Sequence, residues 1–356
     1  MNRKFLLIAL VIAILGLLLA ACVPAPEPVA ADSEQPVAAV ADDDDHDDDD
    51  DDDDDEDAAP AAPALATAKA VSQLTNQPGR AIVSARGIHF IVDSVPPLEG
   101  PNEERNPLDL ALGALATCGI FIYEKAAMEM GIPIDELIAT VQGDFNPAGV
   151  KTGDVNPRIQ AFRVQMDASG PSEDQLEELA DQFRARCPIY TTLERSAPVV
   201  ITHGEMAEGP VAEGLATAQV VAQLSNQPGR AIVSARGNHF IVDSVPPLDG
   251  PNEERNPLDL MLGALATCGT FIYEKAAMEM GISLEDIITS VEGDFHPAGV
   301  KTGEVNPRIQ ALRVQMTLTG ASAEQAEDLA EEFRTRCPIY TTLERSAPIE
   351  ITTTTN

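Results

Sequence analysis

Between residues 80 and 92 apolar and polar side chains alternate, with glycines at positions 79 and 87. A period of two broken by glycine predicts a β-hairpin. Residues 96–105, rich in proline and charge, read as a loop. The period then changes. Asn106 stands where a helix cap is wanted, Pro107 at the first helical position and Asp109 in the first turn, and Gly131 closes the helix some 24 residues later. From 110 to 123 this helix is apolar nearly all round, so it must be buried on most sides. Residues 137–145 and 158–166 read as strands. Residues 173–186 form an amphipathic helix with Leu176, Leu179, Ala180 and Phe183 on one face, Pro188 restarts a short helix, and 199–202 is a last strand.

The pattern then runs a second time. NPLDLALGALATC, ending at Cys118, returns as NPLDLMLGALATC, ending at Cys268, and RCPIYTTLERSAP recurs around Cys187 and Cys337, both at an offset of 150. Residues 71–203 align with 221–353 without a gap, and 102 of the 133 positions are identical. Identity between copies this similar says little about which residues matter. The differences gather in 133–140 and 167–181, where exposed positions are expected. The reading is two units, 68–203 and 216–353, joined by a short polar linker at 204–215, each large enough for its own core. The order β, long buried helix, β, amphipathic helix, β places them in the α+β class, with antiparallel sheets wrapping long central helices. One unit alone would leave its helix partly bare. Two units packed together would cover both, so the repeats are expected to form an intramolecular pseudo-dimer.

At the N-terminus Arg3 and Lys4 precede an unbroken apolar run to Ala21, closed by Leu19-Ala20-Ala21-Cys22. This resembles the bacterial lipoprotein signal, which implies a signal peptide over 1–22, lipidation of Cys22, and an extracytoplasmic protein held on the cell membrane by its lipid. An uncleaved anchor of 17 apolar residues is the other reading. Residues 23–67 are dominated by Ala, Pro and Asp, and positions 42–57 hold 14 Asp, one Glu and one His. Such a segment buries too little apolar surface to offset its ordering entropy and repels itself, so it reads as a disordered spacer. It lacks the glycine turn and ligand spacing of a calcium loop, and His46 has no partner for zinc. The net charge of −35 falls to about −20 without the 15 acidic residues of that run, which excludes nucleic acid as a partner.

Every cysteine but Cys22 belongs to a pair 69 residues apart, one pair per repeat. Cys118, mid-helix among Ala and Leu, reads as a small core residue. Cys187, at a helix start, has a thiolate that the helix dipole stabilises. A pair of this kind outside the cytoplasm also reads as a structural disulfide. PGR at Arg80, DSVPPLEGPNEERNPLDLALGALATC and RCPIYTTL together resemble the OsmC/Ohr family, the osmotically induced and organic hydroperoxide resistance proteins, over nearly all of both repeats. The resemblance implies an intertwined α+β dimer with sites at the subunit interface. It also implies that Cys118 attacks a hydroperoxide, Cys187 resolves the sulfenic acid as a disulfide, and Arg80 steadies the thiolate; Cys268, Cys337 and Arg230 are the second set. Desolvation in an apolar pocket raises a thiol's pKa, and a nearby guanidinium offsets that. In the family's peroxidases a glutamate stands ten positions before the reactive cysteine; here Leu108 and Leu258 stand there. Asp109 faces away from Cys118 and lies about 13 Å along the helix axis, so capping is its expected role. An acidic partner would come from Glu103 or Glu104, or from Glu253 or Glu254 of the other repeat. His89, His239 and His296 give no two-site catalytic pattern, and no Ser/His/Asp set, phosphate loop or metal spacing appears. The expectation is a membrane-tethered thiol peroxidase for organic or lipid hydroperoxides, without a cofactor, regenerated by a thiol reductant. Its alternative is a non-catalytic module that binds an apolar ligand, with the cysteines as structural disulfides.

Overall fold

Two residues of positive φ, Arg86 at 50° and Gly87 at 83°, turn the chain between β2 (Arg80–Ala85) and β3 (Ile88–Asp93). Both central positions in the left-handed region give a turn whose twist matches that of paired strands, and the expected hairpin follows. The computed structural model describes residues 64–209 and 213–356. The expected signal peptide with Cys22, nearly all of the 23–67 spacer and part of the joint between repeats lie outside the described residues.

An unanticipated strand, β1 (Ala66–Leu74), precedes the hairpin and pairs antiparallel with β2. Its inward positions are Ala68, Ala70 and Ser72, which give little hydrophobic contrast against Thr67, Lys69 and Gln73 outside. After a single 3-10 turn at Pro96–Leu98, α1 (Pro107–Met130) starts at a complete capping box. The Asn106 side chain accepts from the Asp109 amide at 2.9 Å, and the Asp109 carboxylate accepts from the Asn106 amide at 2.8 Å. Gly131, at φ 68°, ends the helix. Then come β4 (Glu136–Phe145), a short helix α2 (Pro147–Thr152) that the sequence reading lacked, β5 (Ile159–Ser169), α3 (Glu173–Arg186), α4 (Pro188–Leu193) and β6 (Val199–Thr202). The second repeat follows the same order: β7 (Ala216–Leu224), β8 (Arg230–Ala235), β9 (Asn238–Asp243), α5 (Pro257–Met280), β10 (Asp286–Phe295), α6 (Pro297–Thr302), β11 (Ala311–Thr319), α7 (Ala323–Arg336), α8 (Pro338–Leu343) and β12 (Ile349–Thr355).

The sheets do not follow the repeats. One six-stranded sheet runs β12-β11-β10-β1-β2-β3 and the other β6-β5-β4-β7-β8-β9, so each repeat gives its first three strands to the sheet of the other. Pairing is antiparallel except for β5 with β6 and β11 with β12, which are parallel. Helices α1 and α5 pack against each other, α1 lying on β4 and β7 and α5 on β10 and β1. The pseudo-dimer therefore does more than cover two bare helices, because neither sheet is complete without both repeats. Small residues at the crossing let the strands come close: a Cβ on Gly263 would sit 3.3 Å from a Val83 methyl.

Candidate functional site

Cys118 lies in the middle of α1, 5% exposed, and Cys187 is fully buried where α3 ends and α4 begins. Pro188 at the first position of α4 leaves Cys187 as its cap, and the sulfur accepts from the Tyr190 amide at 3.2 Å. The two cysteines are joined as a disulfide with Cα atoms 6.1 Å apart, and Cys268 and Cys337 are joined in the same way at 6.0 Å. This overturns the expected thiol peroxidase. With both sulfurs of each pair bonded to one another and buried, neither repeat holds a free thiolate to attack a peroxide, and the enzymatic, redox-active reading of Cys118, Cys187, Cys268 and Cys337 falls with it.

The structure sets Arg80 to other work. Its Nε and one Nη bond the two oxygens of Asp93 at 2.7 and 2.8 Å, that Nη also reaches Glu103 at 2.8 Å, and the other Nη reaches Gln77 at 2.8 Å. Burial pushes the Asp93 carboxyl up, but Arg80 and the amides of Glu103 and Glu104 outweigh it and hold the group below its ordinary range. Hydrogen bonding by Asp93 and then Glu103 keeps the Arg80 guanidinium charged well beyond its usual range. Arg230 repeats the arrangement with Asp243, Glu253 and Gln227. In both repeats this arginine ties the hairpin to the loop before the central helix.

Beside each disulfide is a cavity built from both repeats. The one at Cys118 measures about 540 Å³ and is walled by Phe121 and Pro188 of the first repeat and by Leu248, Leu258, Phe295 and Val300 of the second. The one at Cys268, about 580 Å³, has Phe271 and Pro338 facing Leu98, Leu108, Phe145 and Val150. Leu108 thus faces the cavity of the opposite repeat's cysteine, which is why nothing at that helix start could reach Cys118.

The guanidinium at the Cys118 cavity is Arg86, which the sequence reading passed over. It bonds Asp259 through Nε at 2.9 Å and Nη at 2.7 Å, Asn252 at 2.6 Å and the Glu254 carbonyl at 2.9 Å. Asp259 also caps α5, as expected of its counterpart Asp109, and Arg236 holds Asp109 in the same way. The signal was present in SARG, which recurs at the turn of both hairpins: a non-glycine residue held at positive φ marks a constrained position.

Among the described residues every polar side chain on the two cavity walls already has a partner. At Cys118, Thr67 bonds Asp294, Lys69 bonds Glu292, Ser244 bonds the Leu248 carbonyl, Asn256 caps α5 and Arg86 bonds Asp259. At Cys268, Ser94, Asn106, Asp109, Thr217, Gln219 and Arg236 are matched likewise. His89 and His239 lie on β3 and β9 with Nδ1 against Ser84 and Ser234, and His296 heads α6 without a side-chain cap bond. Among the described residues no group of three or more His, Cys, Asp or Glu is placed to hold a metal.

Residues 100–202 and 250–352 match the family described as OsmC-like protein. Three solved structures are similar to the chain. An OsmC-like protein from Mycoplasma pneumoniae is 16% identical, with a TM-score of 0.34, covering 39% of this chain and 96% of that one. The organic hydroperoxide resistance protein OsmC from Legionella pneumophila is 19% identical, with a TM-score of 0.32, covering 38% and 94%. An organic hydroperoxide resistance protein from Elizabethkingia anophelis is 16% identical, with a TM-score of 0.32, covering 38% and 94%. No curated protein matches the chain.

Proposed function

The chain belongs to the OsmC-like protein family, with one member in each repeat, and from that premise we propose that it is a non-catalytic binding module holding an apolar ligand in each of its two inter-repeat cavities, with the cysteine pairs as structural disulfides. The observation that carries this is the matched state of every polar side chain on the described cavity walls. A ligand entering meets mainly aromatic, proline and aliphatic surface, and each polar side chain there is already engaged in a hydrogen bond, so a polar ligand would recover little of the hydration it loses. The size suits a small organic molecule.

In the same reading the two repeats are modules carried outside the cytoplasm, tethered through a lipidated Cys22 and held off the membrane by the Ala-, Pro- and Asp-rich segment that precedes β1. The charged start, apolar run and LAAC sequence support the tether. Two disulfides suit an oxidising compartment.

Titration with an uncharged solvatochromic dye tests the ligand class. Two dye molecules per chain are expected. Leu108→Gln with Leu258→Gln, which puts an amide into each cavity, should weaken binding about tenfold, the loss of part of one leucine's apolar contact. No binding, or affinity that ignores both substitutions, overturns the proposal.

A further inference from the structure

The two places where the repeats exchange strands differ from each other, and they differ in matched sets. Along β1 and β10, Ser72 stands opposite Thr289 and Lys69 opposite Glu292; along β7 and β4 the equivalent pairs are Ala222 with Ala139 and Gln219 with Gln142. On the inner face Ser72, Thr289 and Thr270 of α5 are fully buried, and the Thr270 hydroxyl lies 3.0 Å from that of Ser72 and 2.8 Å from that of Thr289. The same layer in the other half is Ala222, Ala139 and Ile120, fully buried and without a polar side-chain atom. On the outer face Lys69 pairs with Glu292 at 3.1 Å, where Gln142 donates to Gln219 at 2.7 Å. Hydroxyl meets hydroxyl, methyl meets methyl, charge meets opposite charge and amide meets amide.

We propose that β1 carries an interaction surface specific for the second repeat, and that this surface rejects another copy of the first. In a pair of first repeats Ser72 would face Ile120 and Ala139, a buried hydroxyl with no partner, and Lys69 would face Gln142. The rejection is one-sided. In a pair of second repeats Ala222 would face Thr270 and Thr289, which keep their bond to each other, and Thr270 keeps the Ala266 carbonyl at 3.0 Å. The fused chain is thereby committed to joining unlike repeats within itself, and exchange of first repeats between two chains is disfavoured. None of this depends on what the cavities bind.

Ala222→Ser in the full chain tests the surface, because it rebuilds in place the layer that two first repeats would form. Its unfolding constant from urea titration should rise about tenfold, the effect of one buried hydroxyl left without a partner. Adding Ile120→Thr and Ala139→Thr supplies partners and should return most of that change. Ser72→Ala leaves Thr270 and Thr289 bonded and should change the constant by about threefold or less. An Ala222→Ser chain as stable as its parent, or one that the two threonines fail to rescue, overturns the proposal. If the triple variant does not fold, Ala222→Ser and Ser72→Ala decide it alone, equal effects counting against the surface.

Discussion

Replacing Cys118 and Cys187 together by alanine removes the bridge that closes a loop of 69 residues in the unfolded chain. In the chain-entropy treatment a closed loop of that length stabilises the fold by about 4 kcal/mol. Unfolding entropy of about 2.1 cal/mol/K per residue over the roughly 290 described residues comes to about 0.6 kcal/mol/K, so Tm should fall by about 7 °C. The small voids left at two buried positions act in the same direction. Removing the Cys268–Cys337 bridge as well should double the effect if the two loops open independently. Calorimetry measures the shift, and urea titration supplies a second signature. Without the closed loop the unfolded chain exposes more surface, so the m-value should rise. A Tm within about 2 °C of the parent, with m unchanged, would refute the structural role assigned to the bridges.

Further outcomes follow from the same geometry. Native protein should keep both bridges in dithiothreitol that reduces the urea-unfolded chain, because Cys187 and Cys337 are fully buried and Cys118 and Cys268 border apolar cavities, where an attacking thiolate would lose its hydration; equal rates of thiol release would count against the packing described. With dithiothreitol present at a level that leaves the bridges intact, the protein should leave cumene hydroperoxide unconsumed over the dithiothreitol blank, and measurable turnover would reopen the redox reading. Asp259→Asn removes both the anchor of Arg86 and the charged half of a capping box, and should cost about 2 kcal/mol in urea titration, Arg86 being partly exposed. pH separates two carboxylate classes. Hydrogen bonding to Arg313 lowers Asp294 to about 2, so its stabilisation is present above its ordinary pKa and fades as pH falls toward 2; Asp294→Asn should destabilise at pH 7 and matter little at pH 2. Burial raises Glu124, against the Gly229 amide it accepts from at 2.8 Å. Its folded state holds the proton more tightly than the unfolded, so Glu124→Gln should stabilise at pH 7 and do nothing below the carboxyl's ordinary range.

Local chemistry was readable in the chain wherever it decided a local outcome. Asn106, Pro107, Asp109 and Gly131 bound α1 as expected, because capping is settled within a few residues. The hairpin turn at Gly87 and the cap position of Cys187 were legible for the same reason. β1 escaped because alanine and serine on its inner face give almost no alternation of hydrophobicity. The choice between core thiol, redox pair and disulfide stayed open in the sequence, since a spacing of 69 residues says nothing about whether two sulfurs meet. Arg80 was the wrong place to look for a cation at the cavity, because Asp93 and Glu103, 13 and 23 residues further on, fold back onto it. Arg86, six positions on, is aimed across the repeat boundary by a turn whose direction depends on its strands.

Duplication, fold class and an all-round apolar helix that had to be covered were fixed by the order of residues, since burial of such a helix follows from its composition alone. Which strands would cover it was not. An isolated repeat offers the same hydrogen-bonding edge to either β1 or β7, and only the assembled layers, with Ser72 against Thr270 and Thr289 in one half and Ala222 against Ile120 and Ala139 in the other, tell the partners apart. The cavities are decided at that level too, because each wall draws on residues of both repeats that meet only after the strands have been exchanged.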